Sequence, residues 1–340
     1  MEGKAALRVA ITGANGALGR KLIAALLAAP DIAAIHAIDR DVAGLSPHDP
    51  RLSPIQADLR GPALLDALPG MDAVIHLAAQ NPYPDASWED ASASFDMTAK
   101  LVDACAEASL SRLVFASSNH VMGGYKDTPV ALSDGGLTTD LPPLVGTLVK
   151  TSEGLIDSTA YAAAKLMGER VVAVKAETGA FSAVLLRIGW CQPGENTPQT
   201  ISAAGTPKSG LFETDPEREH DLRWFRAMWL SNGDLVRCVF AALRADASAW
   251  PSQAVVVNAV SANRPSPWDL SAGLASSSAI NRSTMYPGTP LRTHIKTNPA
   301  MATILNIASA ISKDHAFRAV GARSRTDRKK GGTRPSFVKT

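Results

Sequence analysis

The stretch LRVAITGANGALGRKLIAALL, residues 7–27, decides the fold. Its first six residues form a short apolar run of strand length, and its last eleven carry an Ala- and Leu-rich helical pattern that Pro30 stops. Between the two runs, Gly13, Gly16 and Gly19 stand three residues apart. Gly13 permits a tight turn, Gly16 lets backbone amides approach a pyrophosphate with no side chain in the way, and Gly19 allows helix and strand to pack closely. With Asn15, Ala17 and Leu18 these glycines are the candidate phosphate cradle. A purely structural turn is the other reading of an isolated glycine motif, so its context matters.

Outward from this stretch, short β-branched runs alternate with helical patterns over the first 118 residues, as in a parallel sheet covered on both faces. Strands are expected near 7–12, 34–39, 53–56, 72–77, 112–117, 184–189 and 254–260, and helices at 17–29, 88–109, 160–178, 219–230 and 233–246. The NPYPD segment, 81–85, leads into the second of these helices. The fold class is α/β: a Rossmann-type doubly wound parallel sheet over 1–190, then a small substrate lobe over 191–273. Residues 119–159 and 191–210 read as long loops. Loops leaving the carboxyl ends of parallel strands rim the ligand crevice, so both are expected to wall a substrate pocket.

Asp39 closes the second strand 20 residues beyond Gly19, where its carboxylate can accept hydrogen bonds from an adenosine ribose. Such a carboxylate repels a 2′-phosphate, so NAD is expected over NADP, although Arg40 follows directly and softens that preference. Asp58 and Leu59 are expected beside the adenine, with a helix cap as the other reading of Asp58. Leu77, Ala78 and Ala79 supply small residues where backbone passes the nicotinamide ribose.

In YAAAK, Tyr161 and Lys165 are four apart and share one helix face. An ammonium beside a phenol favours the phenolate, and an unperturbed tyrosine near pKa 10 is a poor base at neutral pH. Ser118, at the end of a strand, can hydrogen-bond the oxygen whose carbon exchanges hydride. Alone, this spacing also fits an ordinary solvated helix face.

Together TGANGALG, Asp39, the Asp58-Leu59 pair, HLAA at 76–79, the serine strand, YAAAK and LLRIG resemble the extended short-chain dehydrogenase/reductase family over about residues 7–272. The segment FASSNH, 115–120, is similar to that of bacterial uronate dehydrogenases, which oxidise the anomeric carbon of a uronic acid. That resemblance implies Ser118, Tyr161 and Lys165 as the catalytic trio and Asn119 and His120 as contacts to sugar hydroxyls. RIGWC, 187–191, matches RIGSC in those enzymes, with Trp190 where they carry a carboxylate-binding serine. Their substrate arginine has two counterparts here, Arg223 and Arg226. Both departures weaken a uronate assignment. Bland readings stand beside these: Trp190 as a wall aromatic, His120 as a satisfied loop histidine, Arg187 as half of a structural ion pair, and Cys191 as inert for want of an activating partner. Family members also dimerise through two long helices, which points to 88–109 and 160–178 and to a homodimer.

Composition sets outer limits. With 46% hydrophobic and 19% charged residues, extended disorder over the whole chain is excluded, and 34 basic against 32 acidic residues argue against a globally basic nucleic-acid binder. Three scattered cysteines make neither a disulfide framework nor a zinc knuckle, so no metal is expected. No apolar run reaches membrane-spanning length and no export signal opens the sequence, so a soluble cytoplasmic protein without membrane or nucleic-acid partners is expected. The charge is uneven, however: residues 274–340 hold 12 Lys and Arg against 2 Asp and Glu, leaving 22 against 30 before them. ASSSAINRSTMY, 275–286, can be encoded so that the neighbouring frame reads ELIGYQPQHDV, which resembles the LGYxPxxD phrase that closes the substrate lobe of many extended members. Residues 274–340 are therefore expected to be an out-of-frame or disordered tail, with a nucleic-acid-binding tail as the other reading.

The functional expectation is an NAD-dependent oxidoreductase that takes hydride from a small-molecule sugar or sugar acid. A nucleotide-sugar epimerase or dehydratase with tightly held NAD, and a non-catalytic dinucleotide sensor, are the alternatives.

Overall fold

A computed structural model of the chain describes residues 6–80, 86–151, 154–201 and 216–271. The expected tail, the NPYPD segment and residues 202–210 of the expected second loop lie outside the described residues.

Seven strands form one parallel sheet: β1 (Leu7–Thr12), β2 (Ile32–Asp39), β3 (Leu52–Gln56), β4 (Ala73–His76), β5 (Arg112–Ser118), β8 (Ser182–Ile188) and β9 (Ala254–Ala259). Their order is β3-β2-β1-β4-β5-β8-β9. The chain steps outward from β1 in one direction and then returns to continue from β4 in the other. This reversal opens a crevice at the carboxyl ends of β1 and β4. β9, which falls in the stretch expected as a separate lobe, is an edge strand of this same sheet.

Side-chain alternation along the strands divides the core into two layers. Val9 and Ile11 of β1 and Val114 and Ala116 of β5 pack with Leu22, Ile23 and Leu26 of α1 (Ala17–Leu27) and Leu235, Val239 and Leu243 of α6 (Asn232–Arg244). Ala10, Leu113 and Phe115 face the opposite side, against Met97, Leu101 and Cys105 of α3 (Trp88–Glu107) and Val172 and Ala176 of α4 (Thr159–Glu177). A capping box starts α3, with Ser87 accepting from the Asp90 amide and Asp90 accepting from the Ser87 amide. A third apolar cluster joins Val121 and Met122 to Trp224 and Phe225 of α5 (Pro216–Ala227) and to Met228 just beyond it. Among the described residues no helix is long and apolar enough to cross a membrane.

Two expectations need correction. Residues 119–159 are not one open loop: they contain two 3₁₀ segments (Asn119–Tyr125 and Pro129–Leu132) and an antiparallel hairpin of β6 (Leu148–Thr151) and β7 (Gly154–Asp157). Each of these pieces is too short to display a hydrophobic period. The same reason hid α2 (Ala63–Ala67), of five residues. The helices expected at 88–109 and 17–29 end two residues early, at Glu107 and Leu27.

Candidate active site

At the switch point of the sheet, a cleft of about 800 Å³ opens over the carboxyl ends of β1, β4, β5 and β8. Gly13 turns the chain out of β1 with a φ of +70°, and a Cβ there would lie 2.7 Å from the backbone nitrogen of Ala78, which follows β4. A side chain would therefore meet both left-handed strain and backbone overlap. At Gly19 a Cβ would collide with the carbonyl of Ala14, so α1 lies directly on the turn. Gly16 differs: a Cβ there would touch only the Gly13 carbonyl, at 3.2 Å, and Gly16 lines the cleft. The first residues of α1 thus present backbone amides to open space, the geometry that receives an anion. This cradle fits a dinucleotide pyrophosphate.

Most of the residues singled out in the sequence converge here. Gly13, Gly16, Ala17, Leu18, Gly19, Asp39, Leu59, Leu77, Ala78, Ala79, Ser118, Asn119, His120, Tyr161, Lys165 and Trp190 all line the cleft. Three do not. Asn15 supports the site through its backbone, its amide donating to Asp39 Oδ2 at 2.9 Å. Asp58 is turned into an ion pair with Arg60 at 2.8 Å, which holds its carboxyl down to about 2. Arg223 lines a separate small cavity with Lys126 and His220. The register of α5 explains this: Trp224, Phe225, Ala227 and Met228 are buried, which leaves Arg223 and Arg226 on the exposed side.

Ser118, Tyr161 and Lys165 are brought together by β5 and α4. Ser118 ends β5 and caps the following 3₁₀ segment by accepting from the His120 amide at 3.2 Å. Its hydroxyl is also close enough to the Tyr161 phenol to favour the ionised form. Lys165 Nζ donates to the Ala116 carbonyl at 2.8 Å and lies 5.8 Å from the centroid of the Tyr161 ring. Burial lowers the Lys165 ammonium to about 8. The expectation that this ammonium lowers the phenol is not met without a ligand. Burial dominates and pushes Tyr161 above its ordinary value, and the Ser118 hydroxyl offsets this only in part.

Beneath this surface, Arg187 of β8 makes a bidentate pair with Glu169 of α4, with both bonds at 3.0 Å, and Glu169 also accepts from Ser117 of β5 at 2.5 Å. Arg187 and Glu169 are 3% and 4% exposed, so the structural reading of Arg187 holds. Tyr161, Lys165 and Glu169 follow at four-residue intervals on α4. The buried pair therefore fixes the helix that carries the reactive side chains.

His120 is buried, and its Nδ1 lies 2.9 Å from Ser158 Oγ and 3.0 Å from Thr147 Oγ1. Burial lowers it to about 3, so its ring is neutral at physiological pH. Asn119 is 2% exposed; its Nδ2 faces Met228 Sδ, and its Oδ1 has no hydrogen-bond partner. A buried orphan acceptor beside Ser118 suits a ligand donor. Asp127, His220 and Asp221 cluster elsewhere, but the Lys126 ammonium lies 2.8 Å from Asp127 and 2.5 Å from Asp221 and already supplies their countercharge.

The sequence did not single out Ile38, Ala57, Met97, Ile188, Gln192 or Pro193 as part of the site. Ile38 and Ile188 lie at the carboxyl ends of strands, which was the one available signal. Cys191 lines the cleft and does have a charged neighbour, Lys21 Nζ at 3.7 Å, contrary to the sequence reading. Burial nevertheless raises its thiol.

Comparison with known proteins agrees with this geometry. The NAD dependent epimerase/dehydratase family model matches residues 9–190. An L-arabinose 1-dehydrogenase (NAD(P)(+)) of Haloferax volcanii is 31% identical over 258 residues, covering 75% of this chain and 89% of that protein. Among solved structures, uronate dehydrogenase from Agrobacterium tumefaciens aligns with a TM-score of 0.55 at 24% identity, covering 85% of this chain and 92% of its own. Glucuronic acid dehydrogenase from Chromohalobacter salexigens aligns with a TM-score of 0.58 at 22% identity, covering 79% and 82%. These two share the fold. The extent of the family match and of the arabinose dehydrogenase alignment shows that the chain belongs to the NAD-dependent epimerase/dehydratase family.

Proposed function

We propose that this chain is an NAD-dependent dehydrogenase that oxidises a CH–OH group of a free sugar or sugar acid. The observation that carries the reading is the convergence of Ser118, Tyr161 and, one turn further along α4, Lys165 on one cleft shared with the glycine cradle. The family and the 31% identical sugar dehydrogenase support it.

The cradle at Gly13–Gly19 would hold the pyrophosphate, Asp39 the adenosine ribose, and Leu77–Ala79 the backbone side of the nicotinamide half. Bound NAD supplies the acceptor for the substrate hydride. Ser118 Oγ orients the substrate hydroxyl through a hydrogen bond. Tyr161 Oη takes the hydroxyl proton as the carbon becomes a carbonyl, so the phenol must enter the step as phenolate. Lys165, anchored on the Ala116 carbonyl, places positive charge on the same helix face. Asn119 Oδ1 accepts a hydrogen bond from a neighbouring sugar hydroxyl, and His120, held neutral, packs edge-on against the Tyr161 ring at 5.9 Å. Trp190 in place of the serine of RIGSC and the position of Arg223 away from the cleft favour an aldose over a uronate.

The test is turnover over aldoses, uronates and nucleotide sugars with NAD and NADP, read as NADH or NADPH absorbance. A neutral aldose is expected to give the highest kcat/KM. Cofactor that co-purifies and is not consumed, with a nucleotide sugar epimerised, would replace this reading by the epimerase one.

A further inference from the structure

A loop, Gly189–Pro193, lines the same cleft as the glycine cradle. Backbone hydrogen bonds hold its first two residues, Gly189 to the Ala259 carbonyl and Trp190 to Met228 and Leu230. Beyond that point side chains also hold the loop. Lys21, in the second turn of α1, reaches across to it: its ammonium donates to the Gln192 carbonyl at 2.5 Å and to Asn232 Oδ1 at 2.6 Å, with Cys191 Sγ at 3.7 Å. The three donors of an ammonium are thereby directed at three acceptors. Asn232, the first residue of α6, donates in turn to the carbonyls of Gly194 and Glu195 at 3.0 and 3.2 Å. Asn196 adopts a left-handed φ of 57°, accepts from the Gln192 amide at 2.9 Å and donates to the Leu230 carbonyl at 2.7 Å.

We propose that Lys21 is a positioning residue for the dinucleotide: it pins the Cys191–Asn196 loop to α1 so that the loop closes the cleft over the cradle. The inference rests on the reading of this cleft as the NAD site. Lys21 is not among the residues lining the cleft, so it acts through the loop and not by touching the ligand. The helix whose amino terminus would receive the pyrophosphate therefore also carries the clip for this loop. Without the clip, the loop must be ordered when the cofactor binds, and that cost appears in affinity.

The experiment compares the wild-type chain with Lys21→Met, Lys21→Arg and Asn232→Ala by NADH fluorescence titration, by KM for NAD against kcat, and by the pH dependence of Cys191 alkylation with Cys191→Ser as the blank. Loss of a charged hydrogen bond predicts that K21M raises Kd and KM for the cofactor roughly tenfold, while kcat changes less. Lys21→Arg should restore most of the affinity, and Asn232→Ala should shift affinity in the same direction as K21M and decides the matter if K21M does not fold. The Cys191 titration should move upward in K21M, because the nearby ammonium lowers it, which checks that the lysine sits at the loop; a merely stabilising lysine would lower Tm and move this titration without moving the cofactor Kd or KM. A folded K21M that binds NADH as the wild type does overturns the proposal. Wild-type protein that binds neither NADH nor NAD overturns the cofactor reading beneath it, so the two failures are distinct.

Discussion

Lys165 Nζ lies 5.8 Å from the Tyr161 ring centroid and donates to the Ala116 carbonyl at 2.8 Å. The ammonium is thus tied to β5 and not to the phenol, while Ser118 is the neighbour that favours ionisation of Tyr161. In the proposed reaction Ser118 would join proton acceptor and substrate, and Lys165 would contribute charge from a fixed point.

The first consequence concerns Tyr161 in the ligand-free protein. Its phenol should ionise above the ordinary value of 10, because burial outweighs the effect of Ser118. Phenolate difference spectra of wild type and Tyr161→Phe isolate this group. A phenolate assignable to Tyr161 well below pH 10 without cofactor would contradict the assignment of burial as the dominant cause.

Lys165 makes a stability prediction of definite sign. Its folded pKa is lowered to about 8 from 10.5, so between these values the unfolded chain binds more protons at this group and its contribution to stability rises with pH. Below about 8 the penalty for burying the charge is fully present. Lys165→Met should therefore gain most relative to wild type below pH 8 and lose that advantage toward pH 10.5, as read by Tm against pH. Parallel curves would exclude a depressed Lys165.

The Glu169–Arg187 pair is buried and bidentate, so removing one partner leaves a buried charge unpaired. Glu169→Ala should cost about 3–5 kcal/mol in urea unfolding, and the double replacement Glu169→Leu with Arg187→Met should cost less. Equal losses in the single and double variants would show that the charges are not coupled.

Much of this site was legible before the fold was known. The three glycines, Asp39 and YAAAK were readable because their roles are local: a positive φ, a strand end, and a four-residue helical interval each leave a signature in a few adjacent residues. The strands of the parallel sheet were readable because burial on both faces forces continuous apolar runs. The hairpin of β6 and β7 and the 3₁₀ segments were not, since four- to seven-residue elements show no period. Long-range contacts were hidden for another reason. Lys21 carries no local signal of its role, and only the fold brings it to Gln192 and Asn232. Arg223 failed in the opposite direction, because a helix register placed it outside the cleft.

Cofactor choice should follow Asp39. Its carboxylate accepts from the Asn15 amide and lines the cleft beside the exposed Arg40. Asp39→Ser should lower kcat/KM with NAD by roughly tenfold and raise it with NADP, as expected when a charge-assisted ribose contact is lost and a repulsion removed. Arg40→Ala should reduce whatever NADP activity the wild type has. An Asp39→Ser protein with an unchanged NAD to NADP ratio would place the adenosine ribose elsewhere.

The most direct measurement is the rate of NADH formation by Tyr161→Phe with the best sugar substrate, alongside its NADH affinity. The account predicts that turnover falls by about 10³-fold, the scale of a lost general base, while NADH binding stays within a factor of about two of wild type. A Tyr161→Phe protein that turns over as fast as wild type would contradict proton removal by this phenol, and with it the proposed reaction.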